Sequence, residues 1–175
     1  MDSYAASVVK RMSSELAHDN EARAVQLVRN FSKQVYGKHP SAFGPYFRSM
    51  YQTYKHIADS RLSDQDKIQY ANIARGQVSE GAVFLLALNG MTKFGFNFIP
   101  YIERFGLLEH MHRQYLKAYK DALLVGYHER AFLGSKEREK HPFEPTQKQT
   151  RDFFVRKLQE PIAAGGHPAT PDEET

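Results

Sequence analysis

The chain contains no cysteine and no tryptophan. Without cysteine there are no disulfides, thiol nucleophiles or thiolate-bound zinc, which agrees with a cytoplasmic setting. No apolar run approaches the ~20 residues that cross a bilayer, so no membrane span is expected. The N-terminus has no basic region followed by an apolar stretch, so no signal peptide is expected either. No segment alternates polar and apolar residues for long enough to make a strand. A His-Glu-x-x-His motif, a glycine-rich phosphate loop and paired catalytic carboxylates are also missing, and no internal repeat occurs. What remains is a helical pattern in 175 residues, a length that suits one domain with a buried core. The charged fraction of 25% and the hydrophobic fraction of 41% are ordinary for a globular protein. A net charge of +4 is compatible with an RNA or DNA partner but does not require one.

The centre of the pattern is Ser79-Glu-Gly-Ala-Val-Phe-Leu-Leu-Ala-Leu-Asn-Gly90. At 100° per residue, Ala82 to Leu88 leave no polar face, which predicts a helix buried on all sides. Ser79 starts it, and Asn89-Gly90 reads as its C-cap pair. Upstream, Tyr4, Val8, Val9, Met12 and Leu16 predict a first helix. Asp19 and Asn20 read as caps of a second, with Ala24, Leu27, Val28, Phe31 and Val35 on one arc and Gly37-Lys-His-Pro40 as its stop. A third stripe runs from Phe43 to Ile57. Ser63 with Asp66 resembles a capping box opening a helix to about Arg75, whose scattered apolar residues predict burial on two sides.

Downstream, Pro100 suits the first turn of a short helix that starts near Asn97 and ends at Gly106. A longer helix is predicted from Leu107 to about Gly126. Residues Gly134 to Pro145 read as a loop, and Thr146 as the cap of a final helix to about Gln159. The Pro/Gly-rich remainder, 161–175, reads as a disordered tail. The expected fold is all-α, one domain over 1–160, with six or seven helices around a buried central helix near 79–90.

Several of these segments resemble the phage abortive infection protein family of bacteria. The likeness rests on Gly44-Pro-Tyr-Phe-Arg-Ser-Met-Tyr-Gln-Thr-Tyr-Lys-His-Ile57 and Tyr70-Ala-Asn-Ile-Ala-Arg-Gly-Gln-Val-Ser79. It continues through Leu85-Leu86, Asn89-Gly90 and Phe98-Ile-Pro-Tyr-Ile-Glu-Arg-Phe-Gly-Leu-Leu108, so it spans roughly residues 44–108. The resemblance implies antiphage defence through arrest or death of the infected cell, with a phage or host protein as partner, and no particular reaction or cofactor. Family members often carry a glutamate where this chain has Ala82, and often have membrane helices upstream; neither feature is present here.

Gln77 and Asn89 flank the central apolar run and match polar positions of that family. They read either as buried amides that satisfy helix ends or as ligand contacts, and the structural role is favoured. Arg48, Lys55, Arg113, Lys117 and Lys120, with Tyr51 beside them, read either as a phosphate-binding basic face or as ordinary solvated helix faces, with the latter favoured because Glu109 and Asp121 interrupt them. Arg11 and His18 lie two helical turns apart, a spacing similar to that of HEPN ribonucleases, in which Arg would stabilise phosphorane charge and His would move the proton. Arg104 and His110 share the spacing, but Gly106 separates them. With 24 Lys and Arg and eight His, such a pair arises readily by chance. His110 and His112 point away from each other on a continuous helix and cannot chelate one metal; His112 reads as a packed core histidine. The reading is a binding protein rather than an enzyme, without metal or cofactor, acting on a phage or host protein. A metal-independent ribonuclease and a basic nucleic-acid module stand as the alternatives, and a second copy of the chain is a further compatible partner.

Overall fold

The computed structural model describes residues 19–140, Asp152 and residues 156–158. The predicted first helix, the Arg11/His18 pair, most of the final helix and the tail lie outside the described residues. Among those described there is no strand, and the all-α expectation holds.

Residues 19–31 form α1, with Asp19 and Asn20 already helical rather than capping. Its expected stripe faces the core: Ala24, Val28 and Phe31 are buried. The helix then widens into a π turn, Ser32–Tyr36, closed by a hydrogen bond from the Gly37 N–H to the Ser32 carbonyl at 2.9 Å. Helix α2 (Pro40–Asp59) opens with proline in its first turn, where the missing N–H costs nothing. Phe47, Met50, Tyr54 and Ala58 recur at helical spacing and are buried, so α2 lays one continuous ridge against α3 and α5.

Helix α3 (Asp64–Arg75) begins as expected: Ser63 Oγ accepts from the Asp66 N–H at 3.2 Å and donates to the Asp66 carboxylate at 2.6 Å. The expected two-sided burial does not occur. Ala71 and Arg75 are buried, while Tyr70 and Ile73 are 53% and 65% exposed. The wheel recorded that apolar residues were scattered, but not that nothing described packs over half of them.

Helix α4 (Glu80–Gly90) is capped by Ser79, whose hydroxyl accepts from the Ala82 N–H at 3.3 Å. Leu86 through Gly90 are buried, but Ala82, Phe84 and Leu85 are only half-buried. Val83 is buried as well, so the helix faces the core along its length but is buried on all sides only in its C-terminal half. In the outer half, Phe84 stacks on Tyr115 of α6 (Arg113–Leu123), with ring centroids 4.4 Å apart and planes at 3°. Asn89-Gly90 is not a cap pair, because both residues lie inside the helix and Met91 takes its end. Gly90 is there for another reason. A Cβ at that position would meet the Tyr127 hydroxyl at 2.0 Å, and that hydroxyl donates to the Ala87 carbonyl at 2.7 Å.

After α4 the chain makes a tight turn organised by buried Thr92. Its hydroxyl donates to the Asn89 carbonyl at 2.7 Å and accepts from the Gly95 N–H at 3.2 Å. A 3-10 turn, Phe96–Phe98, leads into α5 (Ile99–Phe105), where Pro100 occupies the first turn as expected. Gly106 ends α5 with φ +61, the left-handed conformation that glycine adopts without a Cβ penalty. The predicted helix from Leu107 is corrected here. Residues 106–110 are turns, the Leu108 N–H donates across the chain to the Ala131 carbonyl at 3.0 Å, and α6 begins only at Arg113. Leu107, Leu108 and Met111 are buried as irregular backbone, and their spacing imitates a helical stripe. The expected loop after Gly134 likewise holds a short helix, α7 (Ser135–Arg138).

Candidate ligand-binding cavity

Two polar clusters lie in or beside the core, and they differ in how their groups are satisfied. The first surrounds the left-handed turn at Gly106. Arg75 Nη1 donates to the Gly106 carbonyl at 3.0 Å and also pairs with the Glu109 carboxylate. Arg138, 4% exposed, donates to the Leu133 carbonyl and, at 3.0 Å, to Ser135 Oγ, with Glu109 at 3.8 Å. Burial, assisted by the like charge of Arg75, lowers the Arg138 guanidinium to about 10, and Glu109 opposes that fall. Fully buried Glu103 accepts from the His128 N–H at 2.8 Å, and His128 caps the 3-10 turn Glu129–Phe132, its Nδ1 accepting from the Arg130 N–H at 3.1 Å. These ties hold the residues after α6 against α3 and α5.

The second cluster lines a cavity of about 430 Å³ between the π turn, α2 and the turn after α4. That volume is within the range of small-molecule sites. Its wall carries five aromatic rings, from Tyr36, Phe47, Tyr51, Phe94 and Phe98, with Arg48, Asn89 and Asn97 as the polar side chains. The π turn is what delivers Tyr36: its ring meets Phe31 edge-on at 5.5 Å and Phe94 at 5.8 Å. Burial raises the Tyr36 phenol, which stays protonated and donates to Asn89 Oδ1 at 2.5 Å. Asn89 is 3% exposed, and no described residue accepts from its Nδ2. Arg48, one helical turn from Tyr51, is exposed and makes no hydrogen bond or ion pair among the described residues. Phe94 is 70% exposed at the rim, with Lys93 Nζ 5.0 Å from its ring centroid. None of the described residues that line the cavity is acidic.

The expected site residues are thus divided. Arg48 and Asn89 meet in the cavity. Gln77, expected as a buried helix-end amide, is exposed in the turn between α3 and α4, because α3 ends before it and no described residue covers it. Lys55 is tied to Asp59 at 2.7 Å. Arg113 and Lys117 are exposed on α6, which packs on α4, whereas α2 packs on α3 and α5; the four basic residues therefore come from different helix pairs. His112 is no core histidine. It is 52% exposed and caps α6, its Nδ1 accepting from the Gln114 N–H at 3.2 Å. Among the described residues, no group of three or more His, Asp or Glu could hold a metal ion. No described helix is long and apolar enough to cross a membrane.

Sequence reasoning placed Tyr51 beside Arg48 but missed Tyr36, Phe94 and Asn97 in the cavity, and Arg75, Glu103 and Arg138 in the charged cluster. One signal was available. Glu103 interrupts an otherwise apolar stretch, Phe98-Ile-Pro-Tyr-Ile102, on the buried side of a short helix, where a charge must be paired. For the aromatic wall there was none, since its rings come from separate segments.

Comparison with known proteins adds a likeness to one family over part of the chain. The model of the family described as "Putative phage abortive infection protein" matches residues 38–116, enclosing the segments noted above. No curated protein and no solved structure matches the chain. The matched span runs from the end of the π turn into α6 and includes every cavity residue except Tyr36.

Proposed function

From the family match over residues 38–116, we propose that this chain is a bacterial, cytoplasmic antiphage defence protein of the abortive-infection kind. It acts by binding a component of the phage or the infected host at the Asn89 cavity, and not by catalysis. One observation carries this reading: within the matched span, Asn89 lines a cavity with no described acceptor for its side-chain nitrogen, and the same cavity is lined by Arg48, which has no described counter-charge. Buried polar groups are normally paired, and a concave apolar site with a few convergent polar groups is the usual form of a ligand site.

The test is efficiency of plating across a phage panel, with cells expressing the wild-type chain, Arg48→Gln or Phe94→Ala. The expected result is reduced plating of at least one phage by the wild type, restored by either substitution at equal protein level and melting temperature. Protection that survives both substitutions, or a panel on which the wild type has no effect, would overturn the proposal.

A further inference from the structure

The geometry points to a nucleotide as the occupant of the cavity: a planar base against the aromatic wall and a phosphate at the rim. This deepens the proposed function and rests on the reading of the cavity as the working site. Three features select this chemistry together. Tyr36 and Phe94 present rings 5.8 Å apart with planes at 44°, and Phe94 is 70% exposed, so a flat apolar surface is left open. Base–aromatic stacking uses such a surface. Asn89 Nδ2 is a donor without a described acceptor, fixed in direction because Oδ1 is held by the Tyr36 hydroxyl at 2.5 Å. An asparagine amide held in that way can read an acceptor on a base edge. Arg48 on the wall and Lys93 beside Phe94 supply cations with no carboxylate among the lining residues. Arg is the side chain whose planar fork matches phosphate oxygens.

Other ligand classes leave part of this unused. A purely apolar ligand would bury Asn89 Nδ2 without an acceptor, at the cost of an unmade hydrogen bond. A cation would face two positive side chains and no acid among the described lining residues. A sugar phosphate would satisfy Arg48 but leave the exposed aromatic face uncovered. The nucleotide has two sources, a free mononucleotide or an unpaired nucleotide within a strand, and both offer the same base and phosphate.

The experiment is calorimetric titration of the full chain with the four ribonucleoside monophosphates, their nucleosides, ribose 5-phosphate, inorganic phosphate and a short single-stranded oligoribonucleotide. At least one monophosphate is expected to bind with a Kd below about 1 mM. Its nucleoside and ribose 5-phosphate should each bind about tenfold more weakly or worse, since each lacks one of the two recognised groups. Phe94→Ala should weaken the monophosphate by roughly five- to hundredfold, the loss produced by removing a stacking ring. Arg48→Gln should weaken the monophosphate by about tenfold and leave the nucleoside unchanged. Both variants alter exposed side chains, so folding is retained. Tighter binding of the oligonucleotide assigns the occupant to a strand, and equal or weaker binding to the free pool; either supports the inference. No binding of any monophosphate or oligonucleotide, ribose 5-phosphate binding as tightly as the nucleotide, or binding untouched by both substitutions would overturn it. The two readings fail separately. If Phe94→Ala abolishes protection in a chain that binds no nucleotide, only the ligand assignment is lost. If nucleotide binding follows the variants while protection does not, only the proposed function is lost.

Discussion

The charged cluster at Gly106 and the aromatic cavity at Asn89 are built from similar materials and finished differently. Each sets arginine and other polar side chains against apolar packing, with Arg75 and Arg138 buried in the first and Arg48 exposed at the second. Around Gly106 the charges are answered, Arg75 and Arg138 by the Glu109 carboxylate and by the carbonyls of Gly106 and Leu133. Around Asn89 the amide is answered on one side only, and Arg48 is not answered by any described residue. Desolvating a charge or an amide costs several kcal/mol unless partners replace water. A cluster with its partners supplied therefore acts as a tie within the fold. A cluster that leaves positions open beside a cavity is suited to receive a partner from outside.

This contrast is most exposed to test at Glu109. Replacing it with alanine leaves two buried guanidiniums without their anion, and the expected loss is about 3 kcal/mol or more in denaturant-induced unfolding. A loss under about 1 kcal/mol would mean that the backbone carbonyls alone satisfy the two arginines, and the cluster would no longer be a tie. A smaller effect is expected at Asn89, which belongs to both descriptions. Asn89→Ala strands the Tyr36 hydroxyl and should cost about 1–3 kcal/mol, while Gln77→Ala, in an exposed turn, should stay within about half a kcal/mol. Equal losses at the two positions would erase the distinction drawn between a buried amide and an exposed one. The smallest change is expected in the cavity rim. Arg48→Gln and Phe94→Ala should each shift unfolding free energy by less than about half a kcal/mol, even though they are the substitutions expected to remove binding and protection. A destabilisation of 2 kcal/mol or so at either would show that the rim is part of the structural core and leave the comparison without its second member.

The helix starts at Ser63 and Ser79 and the helix end at Gly106 were legible because each is a local event. A side-chain oxygen reaches amides three residues on, and a glycine adopts a positive φ. The start of α6 was not legible. Leu107, Leu108 and Met111 repeat at helical spacing, yet they are buried around a left-handed turn whose backbone bonds to Ala131. Burial was read correctly and its backbone wrongly, because periodicity reports which residues face the core and not the path that takes them there. His112 was misplaced by the same error, since its assignment to an apolar face assumed a helix that had not yet begun. In the site, Asn89 and Gln77 were named together from the family pattern, and Arg48 from the basic face of its helix. Only Asn89 stands where another segment covers it.

The amino-acid sequence by itself determined an all-helical chain, the local caps that divide it and the residues that turn inward, because these depend on side-chain chemistry and on neighbours three or four positions away. The tertiary structure decided which inward polar groups are answered. Tyr36 reaches Asn89 across 53 positions, and Arg75 reaches Gly106 across 31. No local period encodes such pairings. They are set by how helices pack, and the same packing leaves the cavity in which no described residue accepts from the Asn89 side-chain nitrogen.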